Sequence, residues 1–137
     1  MRQEIASLSL EQKATAIAKW YSNQLKAIPQ HDIGYGKDCV AEAYFSSDNK
    51  DLTQQQIADF EKSLRKQIIS TNPECVFVDY NPCPEIMAAL TEAGISAFPL
   101  RLPIKTYTFP EDLTFNRYYK GKATKGNMNS DEQITCN

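Results

Sequence analysis

Cys83 is the residue of this sequence best placed for chemistry. It precedes Pro84 and Glu85 at what reads as a helix start. A thiol there faces free backbone N–H groups and a positive dipole, which favour the thiolate. Pro84 fits the first helical position, where its missing N–H costs nothing. His31 and Asp32 would supply a base and its orienter if the fold brought them to Cys83. Asp79, Tyr80 and Asn81 put an acid, a phenol and an amide where a short apolar run ends. With Cys83 they form a corner suited to a general acid or a small ligand. Each group also has a plainer reading: a small residue capping a helix before proline, turn chemistry by Asp and Asn, and an exposed loop histidine. The plainer readings are preferred, because nothing local completes a catalytic constellation.

A third group lies further on. Tyr107, Phe109, Phe115, Tyr118 and Tyr119 interleave with Lys105, Arg117, Lys120 and Lys122. Aromatics among cations bind single-stranded nucleic acid by stacking and phosphate contact. They also make protein interfaces, where Tyr and Arg are enriched and Lys is not. In the plainest reading the rings alternate into the core and the charges are solvated. Lys105, Tyr107, Arg117, Tyr118 and Lys120 are the partner-binding candidates.

The elements that must position these groups follow from spacing. Ser9 and Gln12 form a capping box before a first helix over 10–27. Ala14, Ile17, Ala18, Tyr21 and Leu25 recur along it at helical spacing. A first strand is expected over Cys39–Phe45. A second helix starts at the Thr53/Gln56 box, with Leu52 and Ile57 as a hydrophobic staple and Ile57, Phe60, Leu64 and Ile68 as its buried stripe. Cys75–Asp79 reads as a buried strand, and Pro84–Ala93 as a helix closed by Gly94. Pro99 and Pro103 interrupt the next extended run, so its pairable part is Ile104–Phe109. The Phe109–Leu113 turn then returns a strand over Leu113–Tyr119. Gly34-Tyr35-Gly36-Lys37 has the look of a phosphate loop but precedes a strand instead of following one, so it reads as a turn.

The order α-β-α-β-α-β-β predicts an α/β or α+β two-layer sandwich. Helical crossovers favour parallel pairing, so one mixed four-stranded sheet with a C-terminal β-hairpin is expected. Residues 1–119 read as one globular domain and 120–137 as a polar tail, since the tail has no periodicity. The βαβαββ portion resembles the small domains typified by the C-terminal domain of bacterial translation initiation factor three. The Cys83-Pro84-Glu85 start resembles the Cys-Pro-x-Pro helix opening of bacterial sulfur-carrier proteins, in which the cysteine holds a persulfide; Ile86 stands where that family has its second proline.

Composition excludes several classes. The 137 residues carry 42% hydrophobic side chains, and no apolar run approaches the ~20 residues of a membrane span. No secretory signal is apparent at the start, so a cytoplasmic setting is expected, with the four cysteines as free thiols. One histidine and dispersed cysteines call for no metal or other cofactor. The net charge of −2 argues against general nucleic-acid affinity, yet residues 101–125 carry six cations and two acids, leaving −6 for the remainder. The combined reading is a small, non-catalytic binding module, accessory or inhibitory. It would dock to another macromolecule, a protein first and nucleic acid second. The alternatives are a thiol-dependent enzyme or sulfur carrier using Cys83, and a small-ligand binder at the Asp79–Cys83 corner.

Overall fold

A computed structural model describes residues 8–26, 52–97, 101–102, 105–119 and 122–128. Both capping boxes form. In α1 (Leu10–Leu25) Ser9 accepts from the Gln12 N–H while Gln12 reaches back to the Ser9 N–H. In α2 (Gln54–Thr71) Thr53 and Gln56 make the same exchange. These contacts satisfy donors that a helix start otherwise leaves bare. Asn72, in the left-handed conformation at φ 47°, ends α2 before Pro73.

The strand β1 (Val76–Val78) follows, then α3 (Pro84–Glu92) with Pro84 in its first turn. Gly94 at φ 71° sends its N–H to Thr91 O, and Ile95 N–H reaches Leu90 O. These two hydrogen bonds close the helix, and buried Ile95 seals it. The strands β2 (Thr106–Phe109), β3 (Thr114–Tyr119) and β4 (Lys122–Asn127) complete the described chain.

The three helices form one layer, with α2 between α1 and α3. Arg65 Nε donates to Thr15 Oγ1 and Ser22 Oγ to Glu61, so α1 and α2 run antiparallel. Gln56 reaches Gly94 O while Thr71 bonds Glu85, so α2 and α3 do too. Tyr21, Phe60, Leu64, Ile68 and Ile86 fill the layer's inner side.

The sheet order is β1-β2-β3-β4, and every pair is antiparallel. The described domain is therefore α+β, and the expected mixed sheet is corrected. A helical crossover returns a parallel strand only if the chain re-enters at the end where the previous strand began. Here the chain reaches β2 beside the end of β1, where Lys105 N–H meets Asp79 O at 3.4 Å. α3 is about 14 Å long, which roughly five extended residues undo, and thirteen residues separate Glu92 from Thr106. The Cys39–Phe45 strand of the expected parallel pair lies outside the described residues.

The expected irregular tail is corrected over 122–127, which pair with all of β3. No hydrophobic alternation marks that strand, because Gly126 sits under Phe115 and offers no side chain to read. Among the described residues, no helix is long and apolar enough to cross a membrane.

The candidate site: a ring-bearing sheet face

Register sorts the sheet's side chains into two faces. Val76, Val78, Thr106, Thr108 and Phe115 point inward and are buried. Trp20 of α1 covers Phe115 with ring centroids 4.9 Å apart. Tyr21 donates to Val76 O at 2.8 Å, and Thr108 Oγ1 donates to the same carbonyl at 2.7 Å. Two threonines thus occupy the inner face of β2, because a buried hydroxyl with an acceptor in place costs little.

That choice turns Tyr107 outward. Phe77, Tyr107, Asn116 and Lys125 then follow one another in register straight across the four strands. Phe77 and Tyr107 stack at 6.3 Å and 23°. Phe77 uses its backbone groups on the side away from β2, at Cys83. The two residues are therefore a non-hydrogen-bonded pair, the kind that brings side chains closest. Tyr118 adds a third ring, edge-on to Tyr107 at 6.2 Å, and is 38% exposed.

The Asp79 corner joins this row at its end. Lys105 adopts a left-handed φ of 55°, which sets its ammonium 5.9 Å from the centre of the Tyr80 ring. Tyr80 is 61% exposed. Burial, then the adjacent Asp79 carboxylate, raises the Tyr107 pKa. A carboxylate beside a phenol favours the protonated phenol, so Asp79 fixes Tyr107 as a donor.

The structure thus merges two separate groups of the sequence. Asp79 and Tyr80 meet Lys105, Tyr107 and Tyr118 on one surface, with Asn81 exposed beside them. It does not bring in Arg117, whose register partners Thr106 and Thr124 lie on the inward face. Burial lowers the Arg117 pKa, a mark of its partly desolvated place. His31 and Lys120 lie outside the described residues. Asn116 and Lys125 were missed: only the antiparallel register, which no local pattern encodes, aligns them with Tyr107.

Cys83 has another role. Its side chain is 1% exposed, and burial pushes its pKa up to about 11 against the donated Phe77 N–H. Desolvation of the thiolate outweighs the helix start. Its N–H donates to Phe77 O at 2.9 Å and its Sγ accepts the Phe77 N–H at 3.5 Å. The thiol is a strand-edge partner held protonated, so the geometry lends nothing to a thiol-dependent reaction.

Among the described residues, no three His, Cys, Asp or Glu side chains gather as a metal site. A cleft of about 770 Å³ opens between the start of α1 and the β2–β3 turn, lined by Leu10, Lys13, Cys75 and Phe109 among others, and includes none of the site candidates. Comparison with known protein families, with characterised proteins and with solved structures finds no match.

Proposed function

We propose that this protein is a small, non-catalytic binding module that docks to another macromolecule through the outward face of its sheet. One observation carries the reading. Phe77, Tyr107 and Tyr118 form a contiguous set of rings on the side of the sheet away from the helices. Tyr118 is exposed while Phe77 and Tyr107 are half-buried, and aromatic surface left to solvent marks contact sites. The rings need no rearrangement to bind, since Asp79 and the strand register already orient them, and preorganisation lowers the cost of association. Such a module would work in a cytosolic setting, in an accessory or inhibitory role.

The test uses the tagged protein as bait in an extract of its native host. Tyr107→Ala and Tyr118→Ala should each lose the captured macromolecule while the thermal midpoint falls by no more than a few degrees. Capture that survives both changes would move the docking surface elsewhere. Capture lost only in step with unfolding would return the rings to a structural role.

A further inference from the structure

We infer that the macromolecule is a single-stranded nucleic acid lying along the strands of the sheet, its bases toward β1 and its backbone toward β4, an inference that rests on the docking reading above. The chemistry changes along the row. Phe77 and Tyr107 offer ring faces, Asn116 an amide, and exposed Lys125 an ammonium, one per strand and about 4.8 Å apart. A nucleotide needs those groups in that sequence: a π surface for the base, an amide for its edge, a cation for its phosphate. A protein partner would make use of the rings, but a lysine in line with them is not what protein interfaces select.

Charge points the same way. Of the cations in residues 101–125, Lys105 and Lys125 lie on this surface against Asp79, a local excess of cation in a chain of net −2. The Asp79 carboxylate faces the Tyr107 phenol at the β1 end. It repels phosphate there, which places the bases over β1 and β2 and the backbone toward Lys125. Tyr118, beside Tyr107, provides a platform for a further base. Duplexes are excluded, because their bases are already stacked and cannot reach the rings.

The experiment is fluorescence anisotropy with labelled homopolymers of about 12 nucleotides, oligo-U and oligo-dT, at about 50 mM salt, with a duplex of equal length as control. Both single strands should bind and the duplex should not; a preference between them tells RNA from DNA. Tyr107→Ala or Tyr118→Ala should weaken binding roughly 5- to 150-fold, the span reported by stacking losses. Tyr107→Phe keeps the ring and should stay within a few-fold. Lys125→Glu, at an exposed position, should lower both affinity and the slope of affinity on salt.

No binding of either strand at roughly 100 µM protein overturns the inference, as does equal binding of the duplex or indifference to both alanine changes. If the strands fail while the bait still loses a protein on Tyr107→Ala, the docking surface stands and its partner is a protein. If both measurements fail, the docking reading falls with the inference.

Discussion

The Phe115 ring occupies the place where a side chain on Gly126 would go: a Cβ built there lies 2.5 Å from two ring carbons. The ring cannot yield easily, because Trp20 covers its other side and Phe115 is 2% exposed. Gly126→Ala should therefore cost about 1–3 kcal/mol by overpacking. The check is a urea midpoint read by Trp20 fluorescence, whose emission should shift as Phe115 moves. Unchanged stability would place β4 in another register.

Cys83 and Cys75 should differ toward alkylating agents. Cys75 is half-buried and Cys83 is 1% exposed with a pKa of about 11. Since the thiolate is the reactive form, iodoacetamide at neutral pH should label Cys75 first and reach Cys83 only on unfolding, as peptide mass spectrometry would show. Rapid labelling of Cys83 in the native protein would revive a reactive thiol.

Stability should fall in alkali. Cys83 titrates near 9.0 when unfolded and about 11 when folded, and burial holds buried Tyr21 well above its ordinary 10.0. A raised folded pKa means that above pH 9 the unfolded state loses its proton first and gains stability relative to the native state. The Cys83 contribution is thus complete below pH 9 and lost by pH 11, on the order of 2 kcal/mol, and Tyr21 adds a further loss above pH 10. Thermal midpoints measured from neutral pH to pH 11 should fall, and Cys83→Ser should flatten the decline.

Gln56 has two tasks, closing the α2 capping box and reaching Gly94 O at 3.2 Å. Thr53→Ala removes only the box and should cost about 1 kcal/mol. Gln56→Ala should cost at least as much, because it also releases the end of α3. Denaturation midpoints in the reverse order would argue against the tie between the helices.

The helices were legible because their signals are local. Ser9 with Gln12 and Thr53 with Gln56 each satisfy backbone groups within one turn, and Pro84 and Gly94 mark the two ends of α3, so three or four letters at each end suffice. The β2–β3 hairpin was legible for the same reason, its turn at Pro110 spanning only four residues. What stayed hidden depends on distant partners. The alternation of Thr106 and Thr108 with Tyr107 and Phe109 defines two faces without saying which is buried. Hydropathy alone would turn the rings inward, and only the Val76 carbonyl, thirty-two residues before Thr108, makes threonine the inner choice. Asp79 meets Tyr107 through the same long-range pairing. β4 was invisible because its fit is made by the absence of a side chain at Gly126.

The loop from Asp79 to Cys83 folds back along β1, where Val78 bridges Pro82 and both backbone groups of Phe77 are taken by Cys83. An unpaired strand at the border of a sheet invites a foreign strand to dock there and begin a fibril. The chain forecloses that route with its own next five residues, one of them a proline that has no N–H to extend a ladder. Solubility would then depend on a buried thiol. A bulky oxidation product at Cys83 would lift the loop, bare the Phe77 amide and carbonyl, and turn a quiet border into a template for aggregation.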